Sequence, residues 1–234
     1  MVELEKLSRG SDMSGVAVGR HAVRRPMAGL PRGLVSDVAP LPPPPDEKRC
    51  FALWREYDML PNVRRHSLLV AHIAVRLAQR AVKCGFGVSV EETRAAGLLH
   101  DIAKSYCLRH GGSHAMLGAS WVVERTRHYP VARGVLLHVH WPWPLPEGAG
   151  MCALPFFIIY ADKRVRHDRC VSLEERFEDL LARYGKNADA RQGIRASFEQ
   201  GKNIEQAFTV LLQWDIHEDS FDCGRLVERE ECFP

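Results

Sequence analysis

Two histidines and two aspartates, far apart along the chain, have the side-chain types of a metal site. They are His66, His100, Asp101 and Asp162. Imidazole nitrogens and carboxylate oxygens together suit a divalent ion such as Mn, Fe, Co, Ni or Zn, and suit Ca²⁺ less well. An ion of this kind lowers the pKa of its water ligand to about 7, which provides a nucleophile near neutral pH. These four residues would therefore suit metal-assisted hydrolysis.

His66 shares one helical face with apolar residues, so we expect its imidazole to point inward. Leu69, Val70 and Ile73 follow it at helical spacing. A lone histidine on such a face is more often a hydrogen-bonded core residue than a ligand, so this position taken alone favours the structural interpretation. His72 lies six positions further on, about 240° around the helix, and is expected to face solvent.

The pair His100-Asp101 ends a helix that is apolar almost all round, in the string AAGLLHDIAK. Burying a carboxylate in such a place is costly unless it meets a cation or a metal. The same dipeptide recurs at His167-Asp168, but the string there, KRVRHDR, is polar. We therefore interpret the first pair as a candidate site and the second as surface.

Asp162 continues the apolar face of the string FFIIYA. Taken alone, it suits a metal ligand and a buried structural carboxylate equally well. In the structural alternative it would pair with a neighbouring base, Lys163, Arg164 or Arg166. The basic run that extends to Arg169 is itself open to two interpretations, phosphate contacts or a solvated helix face.

The elements that must position these residues are predicted helices. Apolar residues recur every 3.6 positions over 62–83, and capping boxes beginning at Ser89 and Ser172 mark the starts of two further helices. Other helices are predicted over 47–58, 114–127, 130–137, 156–161, 188–200 and 204–215. No segment shows the alternation of a strand, and the predicted fold class is an all-α helical bundle.

The chain is predicted to divide into three parts. Residues 1–45 contain no Phe, Trp or Tyr and seven of the fourteen prolines, so we expect a disordered leader there. Residues 46–216 form the helical bundle, and residues 217–234 form an acidic, frayed C-terminal tail.

Composition excludes several function classes. The 32 Lys and Arg residues exceed the 29 Asp and Glu residues by only three, which argues against nucleic acid or an anionic membrane as a partner. The longest nearly uncharged apolar stretch, 149–161, is shorter than the roughly 20 residues that span a bilayer. Seven cysteines without a C-x-x-C pair fit reduced thiols, so we expect a cytoplasmic protein.

The pattern H…HD…D, with elements written LLHDIAK and YADKR, resembles the HD-domain superfamily of metal-dependent phosphohydrolases. The resemblance extends from His66 to Val171 and implies that Asp101 binds metal and that a metal-activated hydroxide attacks a phosphoester. The chain looks most like small stand-alone bacterial members, which include enzymes that cleave dinucleoside tetraphosphates symmetrically. It departs from those enzymes in having HVHWP where they have His-Thr-Thr-Gly. A nucleotide or another small phosphoester is therefore the expected substrate class.

The resemblance also implies further site residues. His114, in HAMLGA, matches an H-x-x-x-G-A element in which Gly118 would permit close helix packing. His138, in LLHVHW, matches a later histidine of two-metal members, with His140 as the competing choice. One or two divalent ions are therefore implied. Lys104 matches the lysine of HDxxK and is expected to contact phosphate as a catalytic residue, the alternative being an ordinary exposed lysine.

Two other functions stay open at this point. The first is a catalytically silent regulatory module that binds a nucleotide or a partner protein. The second is nucleic-acid processing, against which the near-neutral charge argues. In the string WPWPLP, Trp141 and Trp143 suit a loop that closes over the bundle by aromatic packing better than a base-stacking surface.

Overall fold

A computed structural model describes residues 40–216, 218–221 and 223 of the chain. The helices are α1 Glu47–Glu56, α2 Pro61–Lys83, α3 Val90–Leu99, α4 Lys104–His110, α5 His114–Thr126, α6 Tyr129–Leu137, α7 Leu154–Lys163, α8 Leu173–Tyr184 and α9 Ala188–Leu211. Short 3₁₀ helices cover Gly148–Met151 and Glu218–Phe221. The all-α prediction is confirmed. The predicted leader lies outside the described residues except for its last few positions.

Helices α2, α3 and α7 form the centre of the bundle. The inner face of α2 packs along α3 and α7, and α6 packs against the other side of α3. Helix α7 is apolar on every side and is buried from Pro155 to Ala161, as its sequence predicts. Because α2, α3 and α7 carry or lead into the four candidate ligands, the core of the fold is also the frame of the candidate site.

Glycines set how closely these helices approach. A Cβ atom built on Gly97 in α3 would lie 2.6 Å from Cα of Ala71 in α2, which is closer than any side chain allows. A Cβ atom on Gly118 in α5 would lie 3.2 Å from the side chain of Ile102 and 3.3 Å from that of Val135. Backbone therefore meets backbone between α2 and α3, and α5 sits tightly over the turn that follows His100-Asp101.

Two elements differ from the predicted helical pattern. The helices predicted over 188–200 and 204–215 are one continuous helix, α9, which passes through Gly201. A Cβ atom built on Gly201 would lie 3.0 Å from Cδ of Lys163. The absence of a side chain at Gly201 therefore leaves room for Lys163 to pack against α9. The segment after α7 forms a two-residue antiparallel ribbon, β1 Val165–Arg166 with β2 Arg169–Cys170, where no strand is predicted.

The start of the C-terminal segment packs on α2. Phe221 lies in the segment predicted as frayed, yet its ring is fully buried. The backbone carbonyl of Phe221 accepts a hydrogen bond from Nε2 of His72 at 2.6 Å. His72 is therefore half-buried rather than facing solvent, because a segment distant in sequence covers it.

The aromatic loop after α6 lies against the bundle. The ring of Trp141 is 4.8 Å from that of Phe156 and 5.0 Å from that of Trp143. The backbone N–H of Trp141 donates to the side chain of Gln200 and its carbonyl accepts from the same side chain, each at 2.9 Å. Aromatic packing thus holds this loop. Among the described residues no helix has both the length and the apolar character needed to cross a bilayer.

Candidate metal centre

Four side chains from three parts of the sequence converge at the centre of the bundle. Nε2 of His66 lies 2.8 Å from Oδ1 of Asp162 and 3.7 Å from Oδ2 of Asp101. Nε2 of His100 lies 3.3 Å from Oδ2 of Asp101 and 3.7 Å from Oδ1 of Asp162. His66, His100 and Asp101 each present a donor atom, and these atoms lie within 4.8 Å of one another, while Oδ1 of Asp162 adjoins both imidazoles.

A second cluster adjoins the first and shares Asp101 with it. The other oxygen of this carboxylate, Oδ1, lies 3.3 Å from Nε2 of His114 and 3.6 Å from Nε2 of His138. The two imidazole nitrogens are 3.2 Å apart. Asp101 therefore has one oxygen in each cluster. His140, the competing choice for His138, is exposed to solvent.

The helix ends orient two of the imidazoles. His100 follows the last residue of α3, and its Nδ1 lies 2.8 Å from the carbonyl oxygen of Gly97. His138 follows the last residue of α6 in the same way, with Nδ1 2.7 Å from the carbonyl oxygen of Val135. Because a carbonyl oxygen only accepts, each Nδ1 carries a proton, and in the neutral ring the lone pair is on Nε2. Both lone pairs point into the site, as a metal ligand requires.

The donor set fits a divalent ion. Bonds of about 2.0–2.2 Å to nitrogen and oxygen place neighbouring ligand atoms about 3–3.5 Å apart in tetrahedral or octahedral geometry, close to the spacings in both clusters. Nε2 of His100 and Oδ1 of Asp101 are buried and have no hydrogen-bond partner among the described residues. Buried polar atoms without partners are costly, and a cation bonded to both would remove that cost.

Electrostatics favour the metal-binding forms of Asp101 and His114, whereas the proton that Asp101 favours on His100 has to leave before a cation binds Nε2. Burial raises the pKa of Asp101, but His100 and Lys104 outweigh it and hold the pKa well below its ordinary value. Burial also opposes protonation of His100, yet the charge of Asp101 raises the pKa of this imidazole overall. For His114, burial dominates and lowers the pKa to about 4. Ionised carboxylates and a neutral imidazole are the forms that ligate metals.

The basic residues near the site have different environments. Nζ of Lys104 donates to Oδ2 of Asp101 at 2.6 Å while its side chain stays 36% exposed, so it is neither buried nor free. Asp162 forms its ion pairs with His66 and His100, not with the neighbouring bases of the structural alternative. Arg164 is buried and donates to the carbonyl of Val171, so the basic run is not a uniformly solvated face.

The other histidines in the described part of the chain have local structural roles or lie at the surface. His128 caps α6 by accepting from the backbone N–H of Val131 at 3.3 Å, and its Nε2 lies 3.5 Å from Glu92. The ring of His110 packs on Tyr106 at 4.4 Å. His167, in the second His-Asp pair, is exposed, as predicted.

The sequence did not identify two residues that affect the site, Gly97 and Arg176. Gly97 both permits the contact between α2 and α3 and supplies the carbonyl that orients His100. Its place in AAGLLHD, three residues before the histidine, was a usable signal. Arg176 of α8 lies near enough to help lower the pKa of Asp162, although burial raises it and His66 has the larger opposing effect. Nothing in the charged string LEERFEDL separates Arg176 from its neighbours.

A profile of the HD domain matches residues 63–193, more than half of the chain. The chain belongs to the HD-domain family. The matched region includes both clusters of the candidate centre and the helices that carry them. Membership in the HD-domain family therefore agrees with the resemblance seen in the motifs and with a helical fold built around paired His and Asp residues.

Several curated proteins that are similar to the chain are named Ribonuclease Y. The chain is 31% identical to the one from Symbiobacterium thermophilum over 145 residues, which are 61% of this chain and 26% of that protein. It is 37% identical to the one from Wolinella succinogenes over 160 residues, 68% of this chain and 28% of that protein. The chain thus spans about a quarter of the length of these relatives. No solved structure matched the chain.

Proposed function

We propose that this HD-domain protein is a metal-dependent phosphohydrolase that hydrolyses a nucleotide or another small phosphoester. The observation that carries the proposal is the pair of buried, partnerless donor atoms, Nε2 of His100 and Oδ1 of Asp101, at the junction of two ligand clusters. A structural core would leave such atoms satisfied. A silent regulatory module would have no need of an intact donor set.

In this proposal each cluster holds one divalent ion. His66, His100 and Asp162 would hold the first ion together with Asp101, and His114 and His138 would hold the second together with the other oxygen of Asp101. Bound here, the ions would supply a water of lowered pKa and neutralise charge on the phosphate. Lys104 has a separate role, because its ammonium group orients Asp101 through the 2.6 Å hydrogen bond and its exposed part faces incoming phosphate oxygens.

RNA is a second candidate substrate, and the name of the relatives, Ribonuclease Y, favours it. The net charge of +3 argues against tight binding along a nucleic-acid backbone. A hydrolase needs only a few local contacts, however, and two cations lie close in sequence to the candidate ligands: Lys104 is three residues after Asp101, and Lys163 directly follows Asp162. A short RNA strand therefore joins mononucleotides and dinucleotides in the substrate class to be tested.

The test is a substrate panel run on the purified full chain with added Mn²⁺ or Co²⁺. The panel contains nucleoside mono-, di- and triphosphates, a dinucleoside tetraphosphate and a short labelled RNA. We expect hydrolysis of at least one substrate, its loss with EDTA, and its loss in Asp101→Asn, which keeps side-chain volume but removes the charge. Nucleotide binding without turnover in the wild type would instead support the silent regulatory module.

A further inference from the structure

The first turns of α8 place a buried cation near the metal centre. The side chain of Arg176 is only 11% exposed. Its Nη1 donates to Oδ2 of Asp179 at 3.1 Å, but its Nε is buried and has no hydrogen-bond partner in the part of the chain that the structure describes. A guanidinium group holds its N–H donors in a fixed planar arrangement that suits phosphate oxygens. The N–H of Nε is therefore a donor that a phosphate oxygen can accept from.

One carboxylate serves three arginines at this place. Asp179 contacts Arg166 at 3.3 Å and Arg176 at 3.1 Å, and it also pairs with Arg183. Glu175 is a second acidic partner, but only for Arg166, at 3.2 Å. Three guanidinium groups thus face two carboxylates, and the local balance is positive. Arg176 is the most buried of the three and therefore has the least help from solvent.

Lys163 adds a second buried cation. Its Nζ donates to the carbonyl of Val139 at 3.2 Å, and no carboxylate within ion-pair distance is found among the described residues. Lys163 and Arg176 line the same small cavity, and Lys163 directly follows Asp162 in α7. Two underneutralised cations thus lie together at one edge of the metal centre.

We propose that Arg176 and Lys163 bind a second phosphate of the substrate, next to the phosphate that is hydrolysed. The contacts within the protein leave Nε of Arg176 without a partner and Lys163 without a carboxylate, and phosphate oxygens of a substrate that reach these two groups would neutralise them. The inference rests on the proposed function and narrows its substrate class. Substrates would carry two neighbouring phosphates, either in a polyphosphate chain or at successive positions of a nucleic-acid strand.

The experiment compares substrates that differ by one phosphate, using the full chain with its metal. For the strand source these are the dinucleotide ApA and its phosphorylated forms pApA and ApAp, and for the polyphosphate source they are AMP and ADP. The wild type should favour the two-phosphate member of one set by about tenfold or more in kcat/KM. In Arg176→Gln that preference should fall towards one, because KM rises more for the two-phosphate substrate than for the one-phosphate substrate.

Arg183→Gln is the matched control, because Arg183 pairs with the same carboxylate one helical turn further on. It should keep the substrate preference of the wild type. An equal loss in both variants would mean that Arg176 acts only by holding Asp179, and the proposal would be wrong. Arg176→Lys keeps a cation at the position and should recover part of the preference, which covers the case in which Arg176→Gln folds poorly.

A binding measurement separates this inference from the proposed function. Calorimetric titration with inorganic pyrophosphate should show about tenfold weaker binding to Arg176→Gln than to the wild type, with orthophosphate binding unchanged. Turnover without a two-phosphate preference would overturn the inference and leave the proposed function standing. If no substrate is hydrolysed, the proposed function fails, and unchanged pyrophosphate affinity in Arg176→Gln would then overturn the inference as well.

Discussion

The chain contains two His-Asp pairs, and the structure gives them opposite surroundings. His100-Asp101 follows α3, with both residues almost completely buried. His167-Asp168 lies in the turn between β1 and β2, where His167 is exposed and takes a left-handed backbone conformation with φ of 57°. The first pair meets imidazoles and a carboxylate from other helices, whereas Asp168 has no ion pair among the described residues. The neighbours, not the dipeptide, determine the chemistry.

The sharpest way to test this comparison is the same substitution in both pairs. His100→Asn removes a donor atom from the first cluster and should lower kcat/KM about 10³-fold or more, because a metal ion contributes several kcal/mol to the transition state. His167→Asn changes an exposed turn residue, and Asn tolerates the left-handed conformation, so activity should stay within about twofold. Steady-state hydrolysis with added Mn²⁺ measures both.

Similar losses in the two variants would contradict the comparison, since they would indicate that any change near a His-Asp pair disturbs the fold. Thermal unfolding of both variants is the control. His100→Asn should still unfold cooperatively, because Asn fills much of the space that the imidazole occupies.

Local patterns were enough to predict which of the two pairs is buried. The string AAGLLHDIAK is mostly apolar and the string KRVRHDR is polar. This local composition predicts which pair is buried without knowledge of tertiary contacts. The same holds for the stripe that turns His66 inward and for the capping serines of α3 and α8, whose hydroxyls accept hydrogen bonds from the backbone of Glu92 and Glu175. Burial and helix starts are local properties, so the sequence predicts them.

Substitution of Gly97 tests whether the close contact between α2 and α3 is needed to hold His100-Asp101 in its buried position. Gly97→Ala places a Cβ 2.6 Å from Cα of Ala71 and should lower the free energy of unfolding by about 1–3 kcal/mol. The substitution should also weaken metal binding, because the added methyl group pushes α3 away from α2 and so moves His100 away from His66. Chemical denaturation measures the first effect and a metal titration measures the second.

Gly193→Ala is the control for that change. Gly193 is an exposed glycine inside α9, and nothing lies within 4 Å of a Cβ built on it. Alanine there should raise the free energy of unfolding by about 0.5–1 kcal/mol. If Gly97→Ala raises the free energy of unfolding as much as Gly193→Ala does, α2 and α3 do not approach as closely as described.

Substitution of Lys104 should lower activity less than substitution of His100, and it affects only the buried His-Asp pair. Lys104→Gln removes the ammonium group that contacts Oδ2 of Asp101 and should lower kcat/KM about fivefold to tenfold, a modest loss because the side chain is partly exposed to solvent. Lys186→Gln, at an exposed position after α8, should have no measurable effect. Equal activity of Lys104→Gln and the wild type would assign Lys104 to the exposed-lysine alternative.

Contacts between distant segments are what the sequence did not predict. The burial of Phe221 and the half-burial of His72 depend on a segment about 150 residues away folding back onto α2. The contact of Lys163 in α7 with Gly201 inside α9 joins segments that are distant in the sequence. The position of Arg176 depends on how α8 returns to the bundle. No periodicity within a helix contains this information.

Metal content reports directly whether the buried His-Asp pair binds ions. Purified wild-type protein, His100→Asn/Asp101→Asn and His167→Asn/Asp168→Asn are to be compared by elemental analysis after identical preparation. The account predicts one or two equivalents of a divalent transition metal in the wild type and in the second double variant, and little or none in the first. A first double variant that retains as much metal as the wild type would contradict the account.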